Sequence, residues 1–160
     1  MSKSKPAPVD TKPKSREATA LLRADHQLVD SLFEQYESAK SITKKKALVA
    51  QICQELTVHA QIEEEIFYPQ VQDALNDKEL VPEAIVEHAT LKDLIAQIED
   101  AEPDEELYDA KVKVLSEYVK HHVKEEQNEI FPKVRKSDLD LKAIGDELIH
   151  RKEELLAKVK

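Results

Sequence analysis

The chain has 160 residues, a formal net charge of −9, a single cysteine, a single glycine and few aromatic side chains. That length fits one domain with a real core, and the excess of acid disfavours an electrostatic nucleic-acid binder, which gathers positive charge on one face. One cysteine excludes an intrachain disulfide or a thiolate metal cluster, and no apolar run is long enough to cross a membrane.

Residues 1–15, MSKSKPAPVDTKPKS, hold lysine, proline and serine with almost nothing to bury, which predicts a disordered tail. No apolar stretch follows the lysines, so the tail does not read as a signal peptide and a cytoplasmic location is expected. Residues 16–160 then form the domain. Ser15 or Thr19 is expected to cap a first helix running to about Ser38. A second runs from near Thr43 to Pro69 or just past it. Pro82 fits the first turn of a third, which fades in EDAEPDEE. There Pro103 marks a loop, and Asp104 is expected to cap a fourth helix reaching Pro132 or a little beyond. Residues 139–158 form a shorter fifth amphipathic segment. Cys53, among apolar neighbours in VAQICQEL, reads as a small core residue.

Each of the first four helices carries a histidine on its apolar stripe. His26 aligns with Leu22, Val29, Phe33 and Tyr36; His59 and Glu63 with Ile52, Leu56 and Ile66. His88 aligns with Ala84, Leu91, Ile95 and Ile98; His122 and Glu126 with Val112, Leu115 and Val119. The stripe through His121 contains Lys111, a poor core residue, so His122 is the inward member of the pair and His121 faces solvent or the edge of the site. Residues i and i+4 share a helix face, so His59 with Glu63, and His122 with Glu126, each present a nitrogen and an oxygen together. A lone inward histidine is usually a hydrogen-bonded core residue, and a His–Glu pair at this spacing is usually a surface contact. Here two inward carboxylates accompany four inward imidazoles, and burying unpaired carboxylates is costly. Two cations in the bundle core would remove that cost. Neighbours around a helix differ by ~100°, so Glu64 and Glu65 are expected to be solvated, with Glu64 near the edge of the site. Asp30, four residues after His26, is expected at the surface or just behind the site, and Lys92 is expected to lean outward.

The chain also repeats. A helix with a lone histidine, followed by a helix ending in Glu-Ile-Phe and proline, occurs twice, the paired histidines lying 33 and 34 residues apart. Two helical hairpins imply an all-α, up-down-up-down four-helix bundle with a pseudo-twofold axis and an additional C-terminal helix.

Together, the lone His26 and His88, His-x3-Glu before EIFYP, and HHVKEEQNEIFP resemble the hemerythrin-like HHE cation-binding domain over roughly residues 17–135. The ending IGDELIHRKEEL resembles the last helix of its bacterial members. The resemblance implies a non-haem centre of two iron ions with an oxo or hydroxo bridge. Its ligands would be His26, His59, Glu63, His88, His122 and Glu126, the two glutamates bridging. It implies O2, NO or peroxide as the small ligand, in sensing, iron holding or a stress response, with an oxidoreductase consuming peroxide or NO as the alternative. Two positions depart from the oxygen-carrying branch: Lys92 stands where that branch has a second helix-3 histidine, and Gln127 where it has an aspartate. Ferritin-like oxidases need Glu-x-x-His on two helices, a spacing met here only at Glu147–His150, so that reading fails.

Overall fold

The computed structural model describes residues 15–159, so the tail expectation lies outside the described residues, Ser15 apart. Among the described residues there are five helical rods and no strand. α1 is Ala18–Ser38. α2 runs Ile42–Ile62, passes through a wide π-helical turn at Glu63–Phe67 and continues as Tyr68–Leu75. α3 is Leu80–Glu99. α4 runs Tyr108–Glu125, through a second wide turn at Glu126–Ile130, and on as Phe131–Arg135. α5 is Leu141–Val159. α1 pairs with α2 and α3 with α4 as hairpins, while α5 lies against α1, α2 and the wide turn of α2.

Local chemistry sets most of the ends. Ser41 accepts from the Lys44 N–H at the start of α2, and Asn76, at φ 48°, supplies the left-handed residue that ends it. Asp77 accepts from the backbone N–H groups of Glu79, Leu80 and Val81 and starts α3. Two expected caps are corrected. Glu17 caps α1 by accepting from Ala20 N–H and the Thr19 hydroxyl, so Thr19 is buried inside the helix. A carboxylate also suits the positive end of the helix dipole. Asp104 does not cap α4: tight turns closing from Glu105 to Glu102 and from Tyr108 to Glu105 carry the chain past it, and the helix begins at Tyr108 without a side-chain cap.

The prolines explain the wide turns. Pro69 and Pro132 have no N–H, and each ring would collide with the carbonyl four residues back. The chain answers by closing i→i+5 bonds, Tyr68 N–H to the Glu63 carbonyl and Phe131 N–H to the Glu126 carbonyl. The extra residue rotates the remainder of each rod. Ile66, expected on the inner stripe, is only partly buried, whereas Phe67, Tyr68 and Phe131 are almost wholly buried. Burying an aromatic of that size contributes on the order of 2–3 kcal/mol, enough to offset a poorer turn.

The wide turns also correct the phase of the repeat. Counting from Glu63 and Glu126, both rods read His-x3-Glu-x4-aromatic-Pro, so Tyr68 corresponds to Phe131 and the two Glu-Ile-Phe triplets are one residue out of step.

The core falls into two apolar clusters. One contains Phe33, Tyr36, Leu48, Ile52, Ile98 and Leu115, with Cys53 inside it as expected. The other contains Leu22, Phe67, Tyr68, Phe131, Ile144 and Leu148. The inward histidines occupy the level between them, on α1 between Leu22 and Val29 and on α3 between Ala84 and Leu91. α5 is seated by the chain's one glycine: a Cβ on Gly145 would collide with the Arg16 carbonyl oxygen, so only glycine permits this approach to the start of α1.

Candidate metal centre

The structure brings all six residues singled out by the sequence into one buried cluster. Glu63 and Glu126 have no exposed surface, and the four histidines are each at most 8 % exposed. Two sets of three donors form, His26 with His59 and Glu126, and Glu63 with His88 and His122, the donor atoms in each lying within 4.8 Å of one another. Paired imidazoles approach closely: His26 Nε2 is 3.2 Å from His59 Nε2, and His88 Nε2 is 3.0 Å from His122 Nε2. Both glutamates touch both sets. Glu63 Oε1 lies 3.0 Å from His59 Nε2 and 3.4 Å from His88 Nε2. Glu126 places Oε1 3.3 Å from His26 Nε2 and Oε2 3.4 Å from His122 Nε2.

Every outer nitrogen is held. His59 Nδ1 is 2.9 Å from Asp25 Oδ2, His88 Nδ1 is 3.1 Å from Glu64 Oε2, and His122 Nδ1 is 2.8 Å from Glu87 Oε1. His26 Nδ1 is 2.8 Å from Gln127 Oε1. An ionised carboxylate only accepts, so these partners draw the ring proton to Nδ1 and leave Nε2 as a lone pair aimed at the centre. Tyr68 O–H donates to Glu126 Oε2 at 2.5 Å. No aligned donor reaches either oxygen of Glu63 or Oε1 of Glu126. Lone pairs and anionic oxygens that converge with so few donors form a site for positive charge, and the imidazole–carboxylate mixture without sulfur is a transition-metal donor set. The residues therefore fit a metal centre.

Protons fill this role in the metal-free chain. Burial alone would lower the His122 pKa, but Glu126 and Glu87 outweigh it and push it up to about 10. His59 is likewise raised well above the ordinary value, against burial, by Glu63 and Asp25. Burial works against ionised Glu126, yet His122 and His26 hold it well below the usual carboxylate range. Tyr68 is driven well above the ordinary phenol by burial and by Glu126 and Glu63, so its O–H stays a donor.

Four partners escaped the sequence reading. Asp25 and Glu87 each stand immediately before a lone histidine and hold the histidine of the neighbouring helix; Tyr68 and Gln127 complete the set. Glu64, expected to be solvated near the edge of the site, is half-buried there on His88 and paired with Lys92 at 2.7 Å. Lys92, Asp30 and Glu65 do lie outside the centre; Asp30 is exposed, and Glu65 meets Arg151 of α5 at 2.7 Å. His121 is largely exposed, 3.2 Å from Glu125 and 3.6 Å from Glu87. Burial, with Glu99 adding, pushes the Cys53 thiol up to about 12, which suits its core role.

A fold with paired helical hairpins and a buried His/Glu cluster between them is that of a cation-binding bundle. The hemerythrin HHE cation-binding domain matches residues 17–134, and the chain belongs to that family. A solved structure of a hemerythrin HHE cation-binding domain-containing protein from Mycobacterium kansasii has a TM-score of 0.76 with it. That match covers 89 % of this chain and 88 % of the other at 22 % identity, a likeness of fold. A DNA nickase of Nostoc sp. (strain PCC 7120) is 30 % identical over 115 residues, 72 % of this chain, and the chain spans only 32 % of that relative. No helix among the described residues is long and apolar enough to cross a membrane.

Proposed function

We propose that the chain is a non-haem di-iron protein that binds a diatomic ligand, O2 or NO, in a sensing role. His26, His59 and Glu126 would hold one ion and Glu63, His88 and His122 the other, with both glutamates shared. Iron bound there would supply reversible ligand binding and one-electron chemistry. The observation that carries the reading is a cavity of about 30 Å3 between the four histidines and a ring of Leu56, Leu91, Ile95 and Val119. A single water needs roughly 10–15 Å3 on this measure, so the cavity suits a two-atom ligand. The rest of its wall is largely apolar, with Thr57 and Lys92 also lining it.

The two departures from the oxygen-carrying pattern bear on this choice. Lys92 turns to Glu64, and Gln127 accepts from His26 through its side-chain oxygen. Neither joins the six donors, which leaves more open positions than a stable oxygen carrier has and favours sensing or iron holding over carriage. Nicking of DNA, which names the Nostoc relative, is not extended to this chain: its net charge of −9 opposes a DNA-binding face.

Metal analysis and visible absorption of protein purified without chelator, before and after exposure to air and to NO, test the proposal. Two equivalents of iron and a spectrum altered by either gas are expected. Protein that reconstitutes with no iron overturns it. Sustained consumption of peroxide or NO by the iron-loaded protein would instead favour the oxidoreductase reading.

A further inference from the structure

The four inner nitrogens form a near-symmetric ring, but the four outer contacts do not. His88 and His122, of the second set, are both backed by carboxylates, Glu64 and Glu87. In the first set Asp25 backs His59, while His26 has only the neutral amide of Gln127. The acid counterpart of Gln127 in the repeat is Glu64, each following the shared glutamate of its rod.

We propose that the two cation positions are inequivalent, the first ion settling at Glu63–His88–His122 and a weaker, more exchangeable one at His26–His59–Glu126. This rests on the metal-centre reading above. A carboxylate accepting the Nδ1 proton makes the imidazole a stronger donor at Nε2, and loss of such a partner lowers metal affinity about 10- to 100-fold. Charge points the same way. Asp25 and Glu64 are each offset by a lysine, Lys152 at 2.6 Å and Lys92 at 2.7 Å. That leaves the comparison to Gln127 and Glu87, an amide against an acid. Access adds to it: a cleft of about 340 Å3, bounded by Asp30, Lys120 and Lys124 among others, reaches His26 and Gln127. Solvent therefore stands beside the outer partner of the weaker position.

Titration of the metal-free full chain with Co2+, followed by native mass spectrometry, tests this directly. A one-ion species is expected to accumulate before the two-ion species. Gln127→Glu should strengthen the second step about tenfold and leave the first unchanged; Gln127 is only half-buried, so the variant should fold, and the melting of its metal-free form checks this. Glu87→Gln should weaken the first step instead. A direct passage from no ion to two, or a Gln127→Glu effect on the first step alone, overturns the inference while leaving a metal centre intact. Failure of the unaltered chain to take up any Co2+ would remove the metal-centre reading itself, and this order with it.

Discussion

The hairpin of α1 and α2 and the hairpin of α3 and α4 carry the same chemistry in the same order: an acid, a histidine, then His-x3-Glu and an aromatic before proline. They differ around it. Gln127 answers Glu64, Phe131 answers Tyr68, and α5 covers the first hairpin while Glu87 of the second lies beside the exposed His121. A duplicated His/Glu ring thus keeps its inner geometry, and its two halves diverge through what the ring atoms touch on their far side. Differences between the halves should appear in affinity, proton uptake and stability.

The harshest test removes one inner nitrogen from each half. His59→Ala and His122→Ala should each lower metal occupancy and lose most of the stabilisation that metal confers, His122→Ala more so. An ion at a hundredfold its dissociation constant adds about 2.7 kcal/mol, or roughly 5–10 °C in melting temperature for a chain of this size. Equal melting losses with and without metal would make these histidines ordinary core residues and dissolve the comparison.

Tyr68 and Phe131 occupy equivalent places but do different things. Phe131 stacks on His26, ring centroids 6.1 Å apart, whereas Tyr68 donates to Glu126. Tyr68→Phe strips the donor from a fully buried carboxylate oxygen, which costs about 1–3 kcal/mol. Denaturant unfolding of the metal-free protein should show that loss. Metal-loaded protein should show less of it, because a cation would engage Glu126 in the hydroxyl's place.

Asp25 and Glu87 are separated by acid. Burial opposes ionisation of Asp25, but His59 and Lys152 prevail and lower its pKa from 3.8 to about 2. Because the folded value is depressed, its contribution is complete above pH 4 and is lost as pH falls towards 2. The shift corresponds to about 2 kcal/mol. Asp25→Asn should therefore cost about that much at neutral pH and flatten the acid limb of the stability curve. Glu87 is lowered mainly by its hydrogen bond to His122 against a lesser burial, so Glu87→Gln should flatten the same limb less. Urea midpoints from pH 2 to pH 7 measure both.

The inner ring was legible because each of its six residues sits on an apolar stripe with 3–4 spacing, a pattern that survives without coordinates. Its outer partners were not. Asp25 is adjacent to His26 and so lies ~100° around the helix, where a reading by faces assigns it to solvent. It is the register between α1 and α2 that brings it to His59. A signal existed in the repeat, an acid before each lone histidine and an acid or its amide after each shared glutamate. Tyr68 was hidden by aligning the Glu-Ile-Phe triplets; aligning the prolines instead sets it opposite Phe131. The first cap failed for a simpler reason: Ser15 and Thr19 are good caps by residue type, but the helix begins between them, where the carboxylate of Glu17 accepts from Ala20 N–H and the Thr19 hydroxyl.

The finest distinction lies between two lysines that perform the same task. Lys152 reaches Asp25 from α5 with 29 % of its side chain exposed and its partner 11 % exposed; Lys92 reaches Glu64 along the site's edge at 48 % and 25 %. Solvent screens the second pair more, and exposed pairs of that kind contribute about 0–1 kcal/mol. A charged hydrogen bond as sheltered as the first is worth about 1–2 kcal/mol after discounting for its remaining exposure. Lys152→Gln should then lower the midpoint of metal-free unfolding measurably and Lys92→Gln scarcely at all. High salt should widen the gap slightly, because it screens mainly the small contribution at Lys92. Equal losses from the two substitutions would mean that α5 does not shelter Asp25, and the two halves would then differ only at Gln127 and Tyr68.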